Sequence, residues 1–255
     1  MPNALQLTHS ESLVPDAAPW LDRDAYPFRL RSVRLPAGRI HYVDEGPGAG
    51  AGGHEPILFV HGTPSWSFEY RHLIRALSVS QRCIALDHLG FGLSERPTEF
   101  GCRPEDHARV FAEFIAALGL QRFTLVVHDF GGPIALPFAR AHPERIARLV
   151  VLNSFMWPFE DAKLVQQARF AGSRLGRLLY RHLNFSLRVL MPFAYGDRRR
   201  LTPAVHAQYL APFRVRAARA TVLWTLARSL LGSHAHYASL WQSRARLAPI
   251  PSLVL

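Results

Sequence analysis

The chain has 255 residues, 49% of them hydrophobic, with a formal net charge of +11 and a sequence pI of about 10.7. That is enough for one large globular domain with room for an inserted subdomain. Two cysteines, Cys83 and Cys102, exclude a disulfide framework and a thiolate zinc site.

The basic charge is almost all arginine, since Lys163 is the only lysine, and residues 160–230 hold most of the net charge. Twelve arginines and Lys163 face Glu160, Asp161 and Asp197 there, a local net of +10. A basic patch is the electrostatic footprint of a phosphate binder. No helix-turn-helix spacing, zinc-finger pattern or aromatic RNP-type motif accompanies it, so a solvated arginine-rich surface with no nucleic-acid partner is expected.

The N-terminus "MPNALQLTHSESLVPDAAPW" lacks a basic start followed by an apolar run, so no secretory signal is expected. No apolar stretch approaches the roughly 18 residues of a spanning helix. A cytoplasmic protein without a membrane partner is the expectation. Residues 1–27 read as an N-terminal extension.

Residues 28–45, "FRLRSVRLPAGRIHYVDE", predict a hairpin turning at Pro36-Ala37-Gly38. "GPGAGAGG" (46–53) reads as a flexible loop. Its glycines precede a strand and not a helix, so it fails the dinucleotide fingerprint. "PILFVHG" is a short apolar run typical of a strand buried on both faces. "FEYRHLIRALS" predicts a helix with Leu73, Ile74 and Leu77 on one side, and "RCIALDHLG" the next strand. Residues 104–118 carry an apolar stripe of Val110, Phe111, Phe114, Ile115 and Leu118, with Gly119 placed to end the helix. "RFTLVV" is another buried strand, "GGPIALPFARAH" a helix that Pro137 should kink, and "IARLVVLNS" a further strand.

Strands alternating with helices predict a mostly parallel sheet with helices on both faces. Ligands of such sheets sit beyond the carboxyl ends of the strands. His61, Asp87, Asp129 and Asn153 all fall at such ends. Residues 28–156 are thus expected to form the core. Residues 157–240 change character, reading as short helices broken at Gly172, Gly176, Pro192, Gly196, Pro203, Pro212 and Gly232. They predict a helical cap over the strand ends. Residues 241–255 return to the core with "IPSLVL" as strand seven.

At "LVVHDFGGP" (125–133) a carboxylate stands at a strand-to-helix corner. Gly131 and Gly132 let the chain fold tightly, and the free N–H groups of the new helix favour a negative partner. An ordinary N-cap aspartate is the plainer reading of Asp129 by itself. "FVHGTPSW" places a His-Gly turn after another strand, so that the N–H of Thr63 and that of Phe130 form a two-donor oxyanion hole. "DHLGFGLSERP" adds a glycine-punctuated loop in which Asp87 is expected to brace its neighbours, as His61 is.

Taken together, "HGTPSW", "FEYRHLI", "DHLGFGLSERP", "VVHDFGGPIA" and "RLVVLNSFMWP" resemble the α/β-hydrolase superfamily, and within it the haloalkane dehalogenases. The nucleophile elbow usually written G-x-S-x-G stands here as Val127-His128-Asp129-Phe130-Gly131. The resemblance implies an eight-stranded α/β-hydrolase fold with a cap after strand six. It implies Asp129 as an already ionised nucleophile that forms an alkyl ester, which a histidine-activated water then hydrolyses. A small hydrophobic organic substrate and no cofactor or metal are expected.

Two departures stand out. The resemblance implies an indole N–H directly after the nucleophile to grip halide, but Phe130 has none. Thr63, or Trp157 or Trp224 at the cap edge, are the substitutes, with Trp66 and Phe155 completing the expected pocket. Tyr180, Tyr195, Tyr209 and Tyr237 are candidates for protonating an epoxide, or else packing residues. Lactone or ester hydrolysis, and a non-catalytic binding module, are the other readings. Second, the acid and histidine that the resemblance implies after strands seven and eight are not found in the sequence, and Asn153 replaces the acid that some members carry after strand six. His61, His128 and the pair His234/His236 are not placed to substitute. The reading is therefore a truncated or fragmentary chain that stops at the ester. An exposed edge at strand seven should promote oligomerisation or poor solubility.

Overall fold

Seven strands pair in the order β1-β2-β4-β3-β5-β6-β7 in a computed structural model that describes residues 18–49 and 55–255. The strands are β1 (Arg31–Leu35), β2 (Gly38–Glu45), β3 (Ile57–Val60), β4 (Cys83–Leu86), β5 (Phe123–Asp129), β6 (Ile146–Ser154) and β7 (Ser252–Val254). β1 and β2 form the expected hairpin, and β2 pairs antiparallel with β4. Every other pairing is parallel. Residues 50–53 of the loop at 46–53 lie outside the described residues.

The continuous apolar runs require cover on both faces, and the register shows how they get it. Val43 and Phe59 both align with Ala85 and so share a face, whereas Tyr42 faces the other way. Phe59 packs on Tyr70, at the entry to helix α1 (Arg71–Leu77), with ring centroids 4.9 Å apart. Tyr42 packs edge-on against Phe114 of α2 (Pro104–Ala117). The helices therefore flank the sheet on opposite sides. α2 buries Val110, Phe111, Phe114 and Ile115, and Gly119 takes φ +62° just past its end. In α1 the expected stripe is narrower, because Ile74 is buried but Leu73 is exposed. The helix is preceded by a 3-10 turn at Ser67–Tyr70.

α3 (Gly131–Ala141) runs unbroken through Pro137. Proline has no N–H for the carbonyl four residues back, here Pro133. His236 Nε2 donates to that carbonyl at 2.8 Å, so the lost bond is replaced from another helix.

Residues 18–27 are not an appendage. Tyr26 is fully buried with its hydroxyl 2.6 Å from Ser67 Oγ, and Trp20 packs edge-on against Trp66. Between β6 and β7, α4 (Ala162–Gly172) starts at Asp161, whose side chain accepts from the N–H of Leu164. Short helices follow to Gln242, with π-helical turns at Leu179–Leu183, Ser186–Leu190 and Arg219–Leu223. This layer spans the strand ends. The Trp66 indole donates to the Gln208 carbonyl at 3.1 Å, Arg96 to that of Pro212 at 2.8 Å, and Ser233 Oγ to Glu105 at 2.8 Å.

Candidate active site

Asp129 ends β5 with φ +49°, a left-handed conformation that non-glycine residues seldom adopt. The surroundings hold it there. Ser154 Oγ donates to the Asp129 carbonyl at 2.5 Å. A Cβ on Gly131 would lie 2.3 Å from the Val60 carbonyl, and one on Gly132 would lie 2.1 Å from Ser154 Oγ. Both glycines are needed because the turn packs directly on β3 and β6. Gly62 meets the same demand from the other side, since its Cβ would fall 2.3 Å from Asp129 Oδ1.

The carboxylate faces into the fold, partly buried, and the Thr63 N–H donates to Oδ1 at 2.8 Å. Burial pushes the Asp129 carboxyl up to about 6, opposed by the N–H groups of Thr63 and Phe130 and by His128. Asp129 Oδ1 thus accepts from the Thr63 amide, one of the two expected to form the oxyanion hole, and the carboxyl remains mostly ionised at neutral pH.

The loop carrying Thr63 is fixed by backbone bonds to two histidines. His61 Nδ1 donates to the Gly62 carbonyl at 2.7 Å, which leaves Nε2 to accept from the His88 N–H at 3.0 Å. His88 Nε2 in turn bonds the His61 carbonyl at 3.0 Å. Burial lowers the pKa of both rings, keeping them neutral. Asp87 accepts from the N–H groups of Ser67 and Leu93 and pairs with His41 Nδ1 at 2.8 Å. Burial works against its charge, but His41, His61 and the Leu93 N–H together outweigh it and hold the carboxyl below the usual range. A Cβ on Gly92 would lie 2.1 Å from Asp87 Oδ2, which accounts for the glycine in that loop. His61 and Asp87 therefore tie loops together, each with its hydrogen-bonding capacity taken up by its neighbours.

The expected aromatic pocket is only partly assembled. Phe155 packs edge-on against Phe130, 5.3 Å between centroids, and against Tyr237. Trp66 is fully buried with its N–H bound to Gln208, so it presents no free donor. Trp157 is 43% exposed, pairing with Trp241 at a surface hollow of about 280 Å³. The Trp224 indole is flanked by Arg177 and Arg228, and its buried N–H has no partner. A larger groove of about 660 Å³ opens in the helical layer, lined by Phe159, Leu164, Phe170, Tyr180, Phe185 and Leu190 among others. None of the four expected pocket aromatics lines it. Sequence reasoning missed it because its walls come from turns of mixed helical type.

Of the four tyrosines, Tyr180 lines this groove, and burial together with the charge of Asp129 pushes its phenol up to about 12. Tyr237 donates to the Ser229 carbonyl at 3.0 Å, and Tyr209 packs edge-on against Phe68. Tyr195 is half-buried against the core. His236 is engaged with Pro133 and His234 is exposed, and no cluster of metal-binding side chains occurs among the described residues.

A pair that the sequence reading left out stands beside Asp129. His128 Nδ1 lies 3.3 Å from Glu69 Oε2. Burial opposes charge on His128, but the Glu69 carboxylate outweighs it and pushes the imidazole up to about 9. The signal was a single acidic residue in "FEYRHLIRAL", a helix otherwise apolar and basic.

A model for the alpha/beta hydrolase fold matches residues 55–244. The chain is 41% identical to "Haloalkane dehalogenase 2" of Mycobacterium tuberculosis over 190 residues, 74% of this chain and 64% of that protein. It is 34% identical to the "cis-3-alkyl-4-alkyloxetan-2-one decarboxylase" of Shewanella oneidensis over 202 residues, 77% of this chain and 61% of that one. The chain thus spans less than two thirds of the length of these curated relatives. A crystal structure of the haloalkane dehalogenase DatA from Agrobacterium tumefaciens superposes with a TM-score of 0.76 at 25% identity, covering 88% of this chain and 77% of that one. The elbow at Asp129, the strand order and these likenesses agree: the chain belongs to the alpha/beta hydrolase fold family and is haloalkane dehalogenase-like within it.

Proposed function

We propose that Asp129 is an alkylating nucleophile and that this chain forms an alkyl ester on it. The observation that carries the reading is the seating of Asp129 Oδ1 on the Thr63 N–H at a left-handed strand end. With Oδ1 held there, Oδ2 attacks a saturated carbon, the carbon–halogen bond breaks, and halide leaves with the electron pair. Oδ1 becomes the ester carbonyl oxygen, already facing the amides of Thr63 and Phe130. Residues 157–240 serve as the cap, with the groove beside Tyr180 as the route for a small hydrophobic substrate.

Hydrolysis of the ester needs a neutral histidine aimed at a water beside it. Among the described residues, His61 and His88 are spent on backbone bonds and His128 is held charged by Glu69. We therefore propose that the ester accumulates in the 255-residue chain. The halide would also be poorly gripped, because Phe130 offers carbon and no N–H, and a missing donor at a buried anion costs about 1.5–3 kcal/mol.

Tyr180 favours a second reading. Its phenol lines the groove and feels the charge of Asp129, and on this reading it gives a proton to an epoxide oxygen as Asp129 opens the ring. Intact mass spectrometry after incubation with 1-haloalkanes and with terminal epoxides tests both readings. One persistent adduct per chain, mapped to Asp129 and abolished by Asp129→Ala, is expected. Adducts from epoxides only would select the second reading, and adducts elsewhere or none at all would dismiss both.

A further inference from the structure

From Ala162 to Gly196 the sequence contains no acidic residue, but it carries Lys163 and five arginines. The same stretch holds eight of the sixteen large hydrophobic side chains exposed among the described residues. The two sets are interleaved. Exposed Arg174 precedes exposed Leu175, Arg177 precedes Leu178, Arg181 and His182 precede Leu183, and Arg188 precedes Val189 and Leu190. Phe193 is 70% exposed and Leu183 57%. None of these cations lies within ion-pair distance of a carboxylate among the described residues.

Ordinary solvated surfaces do not look like this. Scattered exposed leucines are common, but a concentration of them marks a surface that meets something apolar. The cations narrow the choice of partner. Arginine and leucine alternating on short helices, without an anion, match a helix lying in a membrane interface. There the apolar side chains enter the boundary of the acyl chains and the guanidinium groups stay at the level of the headgroups. Another protein would need a matching acidic and apolar surface, whereas an anionic bilayer supplies both over any area. The position adds to the argument: Leu164, Phe170 and Leu190, all exposed, also line the groove of about 660 Å³. Three of the eight exposed apolar side chains therefore border an opening into the helical layer.

We propose that the helical face at residues 162–196 seats this protein on anionic lipid membranes, as a peripheral contact. This differs from a spanning helix, since no described helix is long and apolar enough to cross a membrane. It also departs from the expectation of no membrane partner, which rested on the absence of an apolar run. Interleaving arginine with leucine keeps any window from being apolar enough to register. The proposal does not depend on the chemistry assigned to Asp129.

Flotation of the 255-residue protein with phosphatidylcholine vesicles, with and without phosphatidylglycerol, tests it. Binding is expected only with phosphatidylglycerol and should fade at high salt. Replacing Arg174, Arg181 and Arg188 with glutamine should weaken partitioning about a hundredfold, since each cation near such a surface contributes about fivefold. Replacing Leu175, Leu178 and Leu183 with serine should weaken it at least about tenfold with all cations kept. These side chains are exposed, and an unchanged thermal melt verifies the fold. Three outcomes would overturn the proposal. One is equal binding to both kinds of vesicle, and another is binding insensitive to the leucine changes. The third is no vesicle binding combined with sedimentation that shows a dimer dispersed by the same leucine changes, which would assign the face to a second copy of the chain.

Discussion

At the strand ends a single added carbon has nowhere to go. A Cβ on Gly62, Gly131 or Gly132 would come within 2.4 Å of Asp129, Val60 or Ser154. In the helical layer the room varies: a Cβ on Gly196 or Gly232 meets nothing within 4 Å, whereas one on Gly176 would fall 2.2 Å from the Ala171 carbonyl. The three glycines of the first region are all locked by contacts across the strand ends, whereas the second region leaves open space at some of its glycines. The contrast suits a rigid corner that positions a charge beneath a layer whose shape sets access.

The sharpest way to break that contrast is to place the same methyl group in both regions. Gly131→Ala should destabilise the fold by about 3 kcal/mol or more, because the Val60 carbonyl cannot retreat without moving β3. Gly232→Ala lies at the end of a helix without a positive φ, and should leave stability unchanged or raise it by about 0.5 kcal/mol. Urea unfolding of the two variants measures both. A mild Gly131→Ala would mean that the corner is softer than its contacts imply.

The pH dependence of ester formation probes the same corner. Asp129 must be ionised to attack, and burial raises its pKa to about 6. The rate should be flat above pH 7 and fall about tenfold per unit well below 6. For stability the sign is opposite. A carboxyl with a raised pKa favours the fold while protonated, fully so below the unfolded value near 3.8, and that contribution is lost as the pH rises through 6. Asp129→Asn should therefore melt higher than the parent at pH 8, by the equivalent of about 1 kcal/mol, and no higher at pH 3. A rate already flat at pH 5 would contradict the proposed burial.

The two regions also differ in how legible they were in the sequence. All seven strands and the helices between them could be read, because short apolar runs, turn glycines and a 3.6-residue stripe are local signals. Asp129, Thr63 and Phe130 came with them, since motif order along a parallel sheet decides which side chains meet. The helical layer was legible as helices but not as a surface. Trp157 and Trp224 were expected in the pocket, but Trp157 turned outward and Trp224 settled between two arginines. No local pattern encodes the π-helical turns of this layer, one of which directly precedes Trp224. The Glu69–His128 pair was hidden for a different reason: its members lie 59 residues apart and meet only through β5 and the turn before α1.

His236 ties one region to the other, and its removal should cost an intermediate amount. His236→Ala leaves the Pro133 carbonyl without a donor, for about 1–3 kcal/mol. Pro137→Ala restores an N–H four residues on, so the double variant should recover part of that loss. Strict additivity of the two changes would show that the histidine is not filling the gap left by the proline.

The smallest expected effect comes from the Glu69–His128 pair. With His128 raised to about 9, the pair stabilises the fold fully below pH 6.5, and that contribution is lost as the pH rises through 9. Glu69 is held below its usual range: burial works against its charge but His128 outweighs it, so its contribution is lost as the pH falls below about 4.5. The pair therefore acts between these limits. His128 is more than one third exposed, so solvent screens the attraction and Glu69→Gln should cost only a few tenths of a kcal/mol near pH 7. The titration is a more sensitive readout than the melt. Followed by NMR at the imidazole Cε1 proton, the His128 midpoint should fall toward 6.5 or below in Glu69→Gln, because burial then acts unopposed by that carboxylate. A midpoint that stays near 9 would mean that Asp129 alone holds the proton on His128, and that the corner and the turn before α1 are electrostatically independent.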